Sequence, residues 1–132
     1  MRIKMSSPPR FLTLDVNLAS KEDLAPLAKY FEEPAFVLGL SKVEGSYYLG
    51  LEPCYFSEEE NTPENCAKFF IEMVSSFPEE LAGLWSRADS RIFDFGFDSG
   101  EMMPYYRSEI SPEVLGKIAS IGASIAMSIY QI

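Results

Sequence analysis

Between Ser90 and Asp98 three phenylalanines, Phe93, Phe95 and Phe97, alternate with Asp94, Gly96 and Asp98. A period of two belongs to a strand, whose successive side chains point to opposite faces; a helix would scatter these residues around its circumference. Such a strand needs an apolar layer on its phenylalanine side and leaves carboxylates on the other. Any fold for this chain must therefore cover one face of a sheet and spare the opposite one.

The first strand imposes the same condition. Leu12, Leu14, Val16 and Leu18 alternate with Phe11, Thr13, Asp15 and Asn17, which predicts the even positions inward. Ser20 is expected to cap a helix running to about Phe31, with Leu24, Leu27, Ala28 and Phe31 on one side and Pro26 in its first turn. Pro34 closes that helix, and Ala35 to Leu40 reads as a short strand with Phe36, Leu38 and Leu40 in phase. After a turn containing Lys42, Glu44 and Gly45 the alternation resumes at Tyr47, Leu49 and Leu51, as in an antiparallel hairpin.

Thr62-Pro63 and Ser111-Pro112 each place a capping hydroxyl before a proline suited to the first helical position, and Pro78-Glu79-Glu80 opens a shorter helix between them. The expected buried stripes are Cys66, Phe69, Phe70, Met73 and Phe77, then Leu81, Leu84 and Trp85, then Val114, Leu115, Ile118 and Ile121. Gly122 stops the last helix, and Ser124 to Tyr130 follows as a strand with Ile125, Met127 and Ile129 in phase.

The order strand, helix, strand, strand, helix, helix, strand, helix, strand predicts an α+β fold. Its economical form is a two-layer sandwich, with helices packed on one face of a mostly antiparallel or mixed sheet. The first six elements admit a ferredoxin-like split repeat with a helix and a strand appended. With 132 residues, the chain suits a flexible segment over 1–10 and a single domain over 11–132.

Composition narrows the function. Twenty acidic against eleven basic side chains give a net charge of −9, which repels nucleic-acid phosphates and anionic lipid surfaces and attracts a basic protein. No apolar run has the length of a signal peptide or membrane span, so a cytoplasmic protein is expected. Cys54 and Cys66 form neither a disulfide framework nor a zinc set, and Cys66 falls on an apolar stripe as a buried thiol would. Histidine is absent, and no serine or cysteine has a hydrolase-type partner pattern. No catalytic, cofactor-binding or metal-ligating residue is assigned, and no cofactor is expected.

The uncovered sheet face is the main functional signal. The strand phases put Asp15, Asn17, Tyr48, Glu52, Ile92, Asp94, Asp98, Ser128 and Tyr130 on it together. The loop Ser99 to Ile110 adds Glu101, Met102, Met103, Pro104, Tyr105, Tyr106 and Arg107, a mixture of soft, aromatic and charged groups common at contact surfaces. Candidate partner-binding residues are Tyr48, Glu52, Asp94, Asp98, Glu101, Tyr105, Tyr106 and Arg107. The expected function is non-catalytic binding of a basic protein. The alternatives are a small-molecule or metal-dependent enzyme using Asp94, Asp98 and Glu101, and a homodimeric structural domain.

The segment Arg91 to Gly100, then Ile110 to Pro112 and Gly122 to Tyr130, together with Pro78 to Trp85, resembles a group of small bacterial domains of unknown function. In that group an aromatic-rich strand with a glycine and an aspartate precedes a serine-glycine turn, a serine-proline helix and a closing strand. The similarity covers residues 78–132. Proteins of this kind are sometimes grouped with immunity proteins, and the resemblance implies a cognate toxin as partner.

Overall fold

The computed structural model describes residues 8–54, 56–101 and 105–131. Five strands, β1 (Arg10–Ser20), β2 (Ala35–Val43), β3 (Ser46–Pro53), β4 (Ser90–Asp98) and β5 (Ser124–Tyr130), form one sheet in the order β2-β3-β1-β4-β5. The helices are α1 (Ala25–Phe31), α2 (Pro63–Ser75), α3 (Glu79–Arg87) and α4 (Pro112–Ser120). All pairings are antiparallel except β4 with β5, so the sheet is mixed and the fold is an α+β sandwich. Because β3 lies antiparallel between β1 and β2, those two run parallel with a strand inserted; β1 likewise separates β3 from β4. These are two interlocked split βαβ units, to which α4 and β5 add a parallel strand at the edge.

The core is the contact between the sheet and the helices. Leu14, Val16 and Leu18 of β1, Leu49 and Leu51 of β3, and Phe93 and Phe95 of β4 are buried together with Leu27, Phe31, Phe70, Trp85, Val114 and Ile118 of the helices. An aromatic chain runs through it: Phe93 meets Phe70 at 6.2 Å, Phe70 meets Phe31 at 5.8 Å, Phe31 meets Phe77 at 5.8 Å, and Phe77 meets Trp85 at 5.9 Å. Trp85 also donates from Nε1 to the Ile121 carbonyl at 2.8 Å, which ties α3 to the end of α4.

Both expected hydroxyl-proline helix starts form: Thr62 Oγ1 accepts from the Asn65 amide at 3.1 Å, and Ser111 Oγ accepts from the Val114 amide at 3.2 Å. Glu64 Oε1 accepts from the Ser111 amide at 2.5 Å, joining the two starts and holding the Glu64 carboxyl below its usual range. Ser20 does not cap α1. It is the buried last residue of β1 and its hydroxyl accepts from Glu22, while Pro26 sits in the first turn of the helix that begins at Ala25. The β2–β3 connection is tighter than expected, because Glu44 (φ 50°) and Gly45 (φ 82°) form a two-residue turn with both φ positive.

Three burial expectations are corrected. A bulge between Phe11 and Thr13 resets the phase of β1, so that Phe11 takes the inward place expected of Leu12; Asn61 Nδ2 donates to the Leu12 carbonyl at 2.9 Å. Leu115 is exposed on α4. The edge strands carry their apolar residues in the open: from Phe36 to Val43 every residue of β2 is exposed, as are Ile125, Met127 and Ile129 of β5. The helical layer is narrower than the five-stranded sheet. Of the segment 1–10, residues 1–7 lie outside the described residues, and Arg10 opens β1.

Candidate functional site

The face opposite the helices is built by strand register. Asp15 lies beside Asp94, Asn17 beside Ile92 and Gly50, Phe36 beside Glu52, and Gly96 beside Ser128. Side chains of directly paired residues share a face, so Glu52, Asp15 and Asp94 meet across three neighbouring strands. Tyr48, Phe36 and Leu38 border them on one side and Tyr130 on the other, each with a large exposed area. The Tyr130 ring lies across Gly96, where a Cβ would stand 3.3 Å from it.

Phe36 and Leu38 reach this face because of a second bulge, between Val37 and Gly39. A strict alternation puts Phe36, Leu38 and Leu40 together, but the bulge leaves only Leu40 on the helix side, opposite Leu49. Leu38 Cβ then packs 3.7 Å from the position a Gly50 Cβ would take. Gly39, alone inside the strand, is the local sign of that bulge, and it faces Gly50 across the pair.

The carboxylates are bound up with one another. Ser128 Oγ donates to Asp94, 2.8 Å from Oδ1 and 2.9 Å from Oδ2. Asp15 is hydrogen-bonded to Glu52, and its carboxyl is pushed up to about 7, first by burial, then by that bond and by the negative charges of Glu52 and Asp94. Two carboxyl groups can share a hydrogen bond only if one keeps its proton. Asp15 Oδ1 is buried without a hydrogen-bond partner among the described residues.

This arrangement makes stability depend on pH. An acid whose folded pKa exceeds its unfolded value favours folding below the unfolded pKa, and that contribution is lost as pH rises through the folded value, here from about 4 to about 7. Asn at position 15 keeps a donor toward Glu52 and carries no charge. Asp15→Asn is therefore expected to stabilise the protein by on the order of 2 kcal/mol near pH 8, allowing for the water that still reaches the pair, and to be neutral near pH 4. Urea midpoints across that range check it; parallel curves for the two proteins would contradict the shared proton.

Comparison with known proteins finds no matching family model, no matching curated protein and no matching solved structure.

The other predicted residues separate into distinct places. Asp98, expected in solvent, is only 6% exposed: its Oδ1 accepts from the Gly100 amide at 2.9 Å and its Oδ2 lies 3.5 Å from Arg10 Nε. It closes the end of the β1–β4 ladder and is withdrawn from any docking role. Glu101 is exposed beyond the turn. Tyr105 is exposed, Tyr106 is exposed with its ring tilted at 60° against Phe97 at 5.9 Å, and Arg107 pairs with Glu109. Met102, Met103 and Pro104 lie outside the described residues.

Asp94 and Asp98 are four residues apart on one strand, about 13 Å at the usual rise, so one ion cannot bridge them. Among the described residues no group of three or more Asp, Glu or Cys is placed to hold a metal. On the helix side, Phe95, Phe97, Met127 and Ile129 floor a cleft of about 400 Å³ walled by Tyr106 and Ile110. Cys66 is buried, donates to Asn61 at 3.4 Å, and has its thiol pushed up to about 12 by burial, which makes it inert. No helix among the described residues is long and apolar enough to cross a membrane.

Proposed function

We propose that this protein is a non-catalytic binding domain that receives a basic protein on its open sheet face. One observation carries the reading: Glu52, Asp15 and Asp94 occupy the middle of a face that the helices leave uncovered, with Tyr48, Phe36, Leu38 and Tyr130 exposed around them. Aromatic anchors supply contact area with few rotatable bonds, and a central patch of one charge selects and accelerates an oppositely charged partner. A toxin neutralised in the manner of an immunity protein is the partner class we propose, in keeping with the resemblance of residues 78–132.

The test begins with the complex recovered on the immobilised protein from its native host. Asp94→Lys with Glu52→Lys should weaken that complex at least about tenfold without lowering the unfolding midpoint, and added salt should weaken the parent complex in the same direction. Glu72→Lys, exposed on α2 on the helix side of the sheet, serves as a charge-reversal control of nearly unchanged affinity. Unchanged binding by the double reversal would remove the open face as the docking surface.

A further inference from the structure

Among the described residues, none protects the outer edge of β5. Natural edge strands are usually blunted by a charge, a proline or a bulge. The opposite edge, β2, has both Lys42 and a bulge. β5 pairs with β4 in unbroken register, and its sequence from Ser124 to Tyr130 contains no charged residue and no proline in a chain of net charge −9. Met127 and Ile129 are 70% and 73% exposed.

Its hydrogen-bonding parity can be read directly. The Tyr130 carbonyl accepts from the Ser99 amide at 2.7 Å, so in this parallel ladder the even-numbered residues of β5 bond toward β4. The amides and carbonyls of Ile125, Met127 and Ile129 therefore point out of the sheet. The sequence around Met127 is nearly a palindrome: Ala126 and Ser128 flank it as small residues, and Ile125 and Ile129 flank those.

We infer that β5 pairs antiparallel with β5 of a second copy of this chain, about a two-fold axis at Met127. In that register Met127 meets its own copy and Ile125 meets Ile129, and all three pairs are of the kind that exchanges two hydrogen bonds, about six in total. Every outward amide and carbonyl of the three residues finds a partner. The Met127 and Ile129 side chains of both copies join on the helix side and extend the apolar floor of the cleft across the axis. The absence of charge lets two strongly acidic molecules approach along this edge at the lowest electrostatic cost.

Sedimentation equilibrium over rising concentration is expected to move the mass from 14.9 kDa toward about 30 kDa. Met127→Lys places two like charges face to face and should weaken the dimer at least about tenfold, with the far-ultraviolet spectrum unchanged because the side chain is exposed in the monomer. Met127→Cys should form an interchain disulfide on mild oxidation, since paired Cα atoms lie about 5.5 Å apart, whereas Lys42→Cys on the other edge should not. In the dimer the amides of Ile125, Met127 and Ile129 should become protected from hydrogen exchange. A mass of 14.9 kDa at every concentration, a dimer indifferent to Met127→Lys, or one in which those three amides exchange freely would each overturn the proposal.

Discussion

Phe93→Ala is expected to cost about 3–5 kcal/mol, a large part of the roughly 5–15 kcal/mol by which a domain of this size is stable. The side chain is fully buried on a central strand. It lies beside Val16 of β1 and Ile125 of β5, and its ring meets Phe70 of α2, from which the aromatic chain continues to α1 and α3. Removing it leaves a cavity that rigid strands on both sides cannot close. Phe97→Ala, two residues along the same face, should cost about half as much because that ring is only partly buried and borders the cleft. Urea unfolding of both variants checks the order; equal losses would mean that the helical layer does not end where the structure places it.

Arg91→Leu is expected to cost about 2–4 kcal/mol, through hydrogen bonds and not through packing. The guanidinium donates from Nη1 to the carbonyls of Trp85 at 3.0 Å, Ser86 at 3.3 Å and Ala88 at 2.8 Å, and from Nε to the Gly122 carbonyl at 2.8 Å. It thus bonds carbonyls at the end of α3, of which that of Trp85 also accepts from the Ala88 amide at 3.3 Å, puts a cation at the negative end of the helix dipole, and clasps the turn into β5. Gly122, at φ 76°, lets that turn come within 3.1 Å of the guanidinium, measured from where a Cβ would be. Arg91→Lys should recover little, because a point charge on a flexible stem cannot serve diverging carbonyls together. A lysine variant as stable as the parent would show that charge alone suffices.

The main elements were legible because their signals are local. Alternation in β1 and β4, and the hydroxyl-proline starts of α2 and α4, depend on neighbours within a few residues, and all four form where expected. What escaped depends on register between distant strands. The bulges beside Phe11 and Val37 move Leu12 out of the core and Phe36 and Leu38 onto the open face; the first has no glycine or proline at it, and Gly39 at the second does not by itself say which way the register shifts. Arg91 reads as an ordinary strand residue, since its four acceptors come from α3, the segment after it and the turn before β5. The expected acidic face is present as geometry, but its chemistry is different: Asp98 is drawn inward by Arg10 and the Gly100 amide, while burial beside Glu52 and Asp94 pushes the Asp15 carboxyl up.

That face bears on function only if a partner covers it. Hydrogen-exchange mapping of the complex recovered from the native host measures this directly, residue by residue, with the free protein as reference. Slowed exchange is predicted in the segments containing Asp15, Asn17, Tyr48, Glu52, Asp94 and Tyr130, with the exposed surfaces of α2 and α3 unchanged. Protection confined to the helices, with those strand segments exchanging as in the free protein, would contradict the account.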